Sequence, residues 1–504
     1  MTTTSRSILQ FACSSAALLT ASAAFGIPKT ADFDGDGRPD IAIGAPHAGI
    51  GGNVMLLNGD GSSDGFLATG IRVSQDDGAI DDLAESGDMF GHAIAWGDFD
   101  DDGFSDLVVG VPGEDVPGIT NIGAVHVLYG GVPFAADDDF FFPGQTALDG
   151  GGTTRGMGYA LAVGDFNNDG VDDLAVGGRT SRVHILYGVG GDGLQFGFNH
   201  SLTPAGMGFT GHTADDFGTT LVAGDLDCDG DTDLAIGSPG FNPGGKARAG
   251  RVYVAYAQTG GFWQRFETHQ ANTPQADAAF GAALAMGNFN FDANGSVPFH
   301  MCNDLAIGAP GQNVGTAARA GQVFVMKGST SGLVRSSLTA FNQDTGSIPG
   351  TAETDDAFGK ALAVTRIDGD SLEDLAVGVP GEDDGAGVVC LLKGTTTGSG
   401  LTTTGSVMLK QGSGGIPGAH EGGLFDADNF GAAIGGTLGI LAIGAPFDEI
   451  EGHPFAGWVA VLKMDSGSFG NVLAAASYDS RNFGVSLADG QEFGTSVLQT
   501  LAGR

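Results

Sequence analysis

Residues 90–112 read FGHAIAWGDFDDDGFSDLVVGVP, and the order of residue types in this stretch decides the fold. It opens on a Phe-Gly pair, Phe90-Gly91, followed by small apolar residues. Asp98, Asp100, Asp102 and Asp106 then surround Gly103. An apolar run from Leu107 to Val109 ends in Gly110, and Pro112 comes two residues later. Two apolar runs this short, punctuated by glycine, read as a pair of strands joined by an acidic turn.

The pattern recurs, and recurrence turns a hairpin into an architecture. Phe-Gly returns at Phe217, Phe280, Phe358, Phe430 and Phe493, with Met157-Gly158 standing in one further copy, at intervals of 60 to 78 residues. The second strand ends in glycine each time, at Gly44, Gly110, Gly177, Gly237, Gly308, Gly378 and Gly444. In most copies a small residue and a proline follow, as in Gly44-Ala45-Pro46. A third strand begins near Gly52, Gly123, Ser181, Gly250, Gly321, Gly387 and Gly457, with valine two residues on. A fourth is poorly marked, as outer strands are more exposed and more variable.

The count is offset at its ends. The first copy, at Asp32, has no Phe-Gly strand before it, and the last, Phe493 to Leu501, has no loop and second strand after it. Joining the two completes a seventh repeat. The expectation is an all-β chain: a seven-bladed β-propeller of four-stranded antiparallel blades over residues 25–504. Pairing of the C-terminal strand with the N-terminal blade closes it and leaves no open edge.

Composition agrees. Of 504 residues 90 are glycine, without a G-x-y period, and 41% are hydrophobic, which excludes collagen and disorder. A net charge of −39 repels nucleic acid and anionic membranes, and suggests that bound cations neutralise part of the surplus. Residues 1–24 read as a signal peptide: Arg6, an apolar stretch from Ile8 to Leu19, and Ala21-Ser22-Ala23 as a cleavage site. The mature chain is therefore expected to be secreted and soluble, without a membrane span. Cys228 and Cys302 lie in or beside acidic loops of neighbouring repeats and are expected to form a disulfide, whereas Cys390 lies in a strand.

The acidic turns carry the chemistry. They comprise Asp32, Asp34, Asp36, Arg38 and Asp40; Asp98, Asp100, Asp102, Phe104 and Asp106; Asp165, Asn167, Asp169, Val171 and Asp173; and Asp225, Asp227, Asp229, Asp231 and Asp233. Alternate carboxylates on a tight turn converge on one point, as a hard cation with six to eight oxygen ligands requires. Glycine at position six permits the bend, the backbone carbonyl of position seven adds an oxygen, and the aspartate at position nine closes the shell. An EF-hand needs glutamate at position twelve, where this chain has Ile43, Val109, Val176 and Ile236. About four Ca2+ ions are expected. The fifth loop keeps Asn288, Asn290 and Asp292, with Asp304 displaced. The sixth keeps Asp368, Asp370 and Asp374 but has Arg366 first, whose guanidinium could replace the metal. The seventh, around residues 435–441, has no acidic loop.

With these motifs the chain resembles the FG-GAP repeat family: Phe90-Gly91 and Phe217-Gly218, the loop DFDGDG at residues 32–37, and Gly44-Ala45-Pro46. The resemblance covers residues 30–504. Such repeats build the N-terminal propeller of integrin α subunits, and similar propellers occur in some lectins and in a phospholipase D specific for glycosylphosphatidylinositol anchors. It implies seven blades with calcium on the face where first and second strands connect, and a partner on the opposite face. The chain is expected to be neither a complete integrin, whose leg domains it lacks, nor that phospholipase, whose catalytic domain it lacks.

No H-E-x-x-H motif occurs, and His126 and His184 share a packing register in the third strand. The expectation is a recognition or adhesion module and not an enzyme, with a glycan-binding lectin, and then an exported hydrolase or lyase, as alternatives. The partner is an extracellular protein or glycan. Phe241, Lys246, Arg248 and Arg319 form a basic patch in loops between second and third strands, where other repeats carry Glu114, Glu382 or Asp448.

Overall fold

The computed structural model describes residues 31–497 apart from 60–69, 77–79, 81, 132–138, 144–155, 180, 196–198, 211–214, 259–262, 264, 292–300, 421, 423–426, 438, 484, 485 and 489. Residues 1–24, expected to be a signal peptide, Asp292, and the expected continuation of the C-terminal strand beyond Val497 lie outside the described residues.

Blade two shows the plan. Ala93–Gly97, Asp106–Val111, Ala124–Leu128 and Asp139–Pro143 lie side by side in chain order, all antiparallel. Seven sheets repeat this arrangement. Second strands such as Asp106–Val111 and Asp374–Val379 are buried along their whole length. Both faces of each blade pack against a neighbour, so these strands read as unbroken apolar runs instead of alternating ones. The outermost strands differ: in Leu401–Leu409 only the two end residues are buried. That exposure relaxes their composition, which is why the sequence marks them so weakly.

Closure follows the composite scheme. Ser496–Val497 pairs antiparallel with Ile41–Ala45, Ile43 facing Val497 and Gly44 facing Ser496. The four strands of blade one therefore run Ser496–Val497, Ile41–Ala45, Asn53–Leu57 and Ile71–Val73 from inside out. Innermost strands touch in succession around the axis, blade seven meeting Ser496–Val497. An apolar cluster including Ile43, Met55, Val459, Val461, Phe493 and Val497 seals this junction.

The Phe-Gly pair is the joint between blades. The Phe90 N–H donates to the Gly51 carbonyl of the preceding blade at 2.7 Å, and Phe280, Phe358, Phe430 and Phe493 donate likewise to Ala249, Ala320, Ala386 and Ala456. The phenylalanine rings are fully buried. Gly91 has φ of 90°, which favours glycine, and its carbonyl presses on Gly44 so closely that a Cβ there would lie 2.1 Å away. The junction made by the C-terminal strand has the same geometry: a Cβ on Gly444 would lie 2.1 Å from the Gly494 carbonyl.

Candidate metal centre

The acidic loops hang from the start of the second strand, all on one face. In blade one Asp32 Oδ1 and Asp34 Oδ1 both accept from the Asp36 N–H, at 3.0 and 3.2 Å, and Asp32 Oδ2 accepts from Gly37 at 2.8 Å. Asp36 Oδ1 accepts from Arg38 at 2.9 Å. Blade two repeats this with Asp98, Asp100, Asp102 and Phe104, and blade three with Asp165, Asn167, Asp169 and Val171. In blade four Asp225 Oδ2 accepts from Gly230 and Asp229 Oδ1 from Asp231, each at 3.0 Å. These bonds curl each loop so that its carboxylates point inward.

Among the described residues three sets bring carboxylate oxygens within 4.8 Å of one another: Asp32, Asp34 and Asp36; Asp98, Asp100 and Asp106; Asp225, Asp227 and Asp229. Blade three has an amide, Asn167, at one of these positions and forms no such carboxylate set. Burial raises Asp225 to about 6, and burial with the neighbouring Asp229 raises Asp227 to about 7. Asp227 Oδ1 is buried and lacks a hydrogen-bond partner. A cation at the centre of the loop would satisfy that oxygen and relieve the crowded charge, so the donor set fits a hard divalent ion.

The aspartate at position nine has a second task. Asp106 accepts from Phe99 through Oδ2 and from Gly130, past the end of the third strand, through Oδ1, both at 2.8 Å. Asp40, Asp173, Asp233 and Asp374 make the same two bonds. Burial pushes Asp106 up to about 8 and Asp40 up to about 7. This residue ties three strands together whether or not a metal is near.

The drifted loops are closed from within. Asp304, despite its displacement, accepts from Phe289 at 3.3 Å and from Gly328 at 3.1 Å, and Asn290 donates to it at 3.2 Å. In blade six the expectation for Arg366 is corrected. Its guanidinium turns to Glu373 at 3.6 Å, and Lys393, from the third strand, pairs instead with Asp368 and, at 3.3 Å, with Asp370. In blade seven Thr437 pairs with Ile440 at the end of the first two strands.

Several site residues escaped the sequence reading. Arg265 of the outer strand in blade four reaches Asp227 at 2.8 Å. Position eight of the loop bonds across blades: Ser105 to the Asp32 N–H, Asp172 to Asp98, Asn303 to Asp225 and Glu373 to Asn288. The signal was available, since this position, just before the closing aspartate, is polar in each of these loops. Cys228 and Cys302 are joined, with Cα atoms 4.6 Å apart, linking the blade-four loop to blade five, and Cys390 is free and buried. On the opposite face Arg248 pairs with Asp216 at 3.7 Å, Arg319 pairs with Asp355, and Phe241 lies 3.8 Å from the Arg251 guanidinium. Lys246 is exposed.

The FG-GAP repeat family profile matches residues 30–55, 90–128, 157–186 and 217–255. The chain carries FG-GAP repeats. The matched segments fall on blades one to four, the blades whose loops keep the acidic pattern. Phosphatidylinositol-glycan-specific phospholipase D from Mus musculus is 31% identical over 303 residues, covering 58% of this chain and 35% of that protein. The Homo sapiens protein of the same name is 38% identical over 173 residues, 33% of this chain and 20% of its own length. Integrin alpha-5 from Xenopus laevis is 31% identical over 241 residues, 44% of this chain and 20% of that one. The chain thus matches about a third or less of the length of these relatives. The expectation that the chain is not an enzyme is corrected by them, because several are named for an enzymatic activity. Among the described residues no helix is long and apolar enough to cross a membrane.

Proposed function

We propose that this FG-GAP propeller is a secreted, calcium-binding recognition module, similar in role to the integrin α propeller, that binds a protein partner on the face opposite its acidic loops. The reading rests on one observation above all: an acidic loop curled by its own backbone N–H bonds recurs at matching places in blades one to four, and in blades one, two and four its carboxylate oxygens converge. Four Ca2+ ions, one in each of blades one to four, would offset part of the net charge of −39. Each ion stabilises the native ring by about 1.4 kcal/mol when free calcium is tenfold above the dissociation constant. Chelation should therefore lower the melting temperature, and Asp34→Ala or Asp227→Ala should lower it by part of that shift. Metal analysis that finds no calcium, with melting unchanged in chelator, overturns the reading.

The partner patch is Phe241, Lys246, Arg248 and Arg319. Reversal of charge at Lys246 and Arg248 is expected to weaken binding and its salt dependence while melting stays unchanged. A glycan array with and without calcium separates a protein partner from a glycan.

A second reading is favoured by the phospholipase D relatives: the propeller serves an enzyme acting on phosphatidylinositol glycans. Incubating the protein with membranes bearing a glycosylphosphatidylinositol-anchored reporter tests it, since release of the reporter supports an activity and retention excludes it for this chain.

A further inference from the structure

The third strands align on a valine: Val54, Val125, Val183, Val252, Val323, Val389 and Val459. Four residues on, where the strand ends beside the acidic loop, stand Asn58, Tyr129, Tyr187, Tyr256, Lys327, Lys393 and Lys463. Blades one to four have asparagine or tyrosine at this register. Blades five to seven, whose loops have drifted, all have lysine.

The structure shows what the exchange does. Asn58 donates its amide to Asp34 and adds no charge to the blade-one loop. The tyrosine hydroxyls of blades two and four turn away, Tyr129 accepting from Leu194 and Tyr256 from Leu333, each at 2.9 Å. That of Tyr187 bonds His200 at 2.7 Å. Lys393 instead sends its ammonium group into the loop, between Asp368 and Asp370. The first ligand position of the same loop is Arg366, which is held by Glu373. An ammonium ion supplies one positive charge and three donors to the carboxylates that would otherwise hold a divalent ion.

We propose that Lys393 is the built-in cation of blade six, so that this loop takes no metal, and that lysine at this register marks the blades that have given up their ion. The inference rests on the calcium reading only for the ion count.

Two arms test it in the full-length chain. In the first, Arg366→Asp, Ser371→Gly and Lys393→Asn together give the loop the acidic residues, the position-six glycine and the asparagine of blade one. Calcium per chain, measured by atomic emission after dialysis, should rise by one over wild type. Melting should fall below wild type in chelator and recover in calcium. An unchanged count in a folded triple variant overturns the proposal. In the second, Asp368→Asn with Asp370→Asn in the otherwise natural chain should leave the calcium count unaltered, and a count lower by one overturns it even if the first variant fails to fold. Should wild type hold no calcium at all, melting in chelator still decides on the lysine. Lys393→Gln should then lower it in the natural chain but not in the Asp368→Asn, Asp370→Asn background, and equal losses in both backgrounds would refute the ion pairing.

Discussion

Gly110 and Gly158 face each other across the seam between blades two and three. A Cβ on Gly110 would lie 2.0 Å from the Gly158 carbonyl oxygen, and backbone, unlike a side-chain tip, has nowhere to go. Gly110→Ala is therefore expected to cost about 3 kcal/mol, read as a lower denaturant midpoint at unchanged slope. The glycine closing each second strand was legible as a repeat, but its reason was not, because the atom it avoids belongs to another blade. Glu382 is a second residue whose meaning is spatial. It is 7% exposed, accepts from Gln343, and burial, with Asp356 nearby, raises it to about 7. The folded chain thus binds that proton more tightly than the unfolded chain does. Stability from this group is present in acid and is lost as pH rises toward 7. Glu382→Gln should accordingly melt higher than wild type at pH 8, by about 2 kcal/mol of stability, and the gain should vanish at about pH 4, below the ordinary glutamate value. A constant difference between the two pH values would place the cause elsewhere.

The loop is an element with two jobs, and the sequence exposes only one of them. Alternating acids announce cation ligation, whereas the bonds from Asp106 to Phe99 and Gly130 are a strand tie that any polar turn could conceal. The sixth loop shows the limit most clearly. Arg366 sits in the first ligand position and invites the inference that it fills the metal's place, yet Glu373 from the position-eight series draws it away and leaves the carboxylates to a lysine distant in sequence. Outer strands were illegible for a simpler reason: half-solvated, they tolerate almost any residue that extends. The disulfide between Cys228 and Cys302 fastens the fourth loop to blade five across 74 residues of chain. Cys302→Ser is expected to lower stability by about 2–4 kcal/mol, chiefly through a less restricted unfolded state. Calcium affinity measured on the same variant would separate the staple's effect on the fold from its effect on the loop.

At the scale of the molecule the ring was the most legible feature, because an unmatched Phe-Gly strand at one end and an unmatched loop at the other leave closure as the simplest account. Deleting residues 490–504 should strip Phe493 from the blade-one junction, leave Ile41–Ala45 without its inner neighbour, and expose an edge. Loss of a cooperative transition, or aggregation seen by light scattering, is expected; a monomeric truncation with unaltered melting would mean that the ring closes another way. Closure also sets the order of events in time. Ser496 Oγ donates to the Gly91 carbonyl across 405 residues of chain, so the first blade stays one strand short until the final stretch has been synthesised. Six blades can stack as they emerge, but the seventh seam waits, and a search over so long a loop is slow. During that interval the chain presents two unsatisfied borders and needs shelter from its own copies.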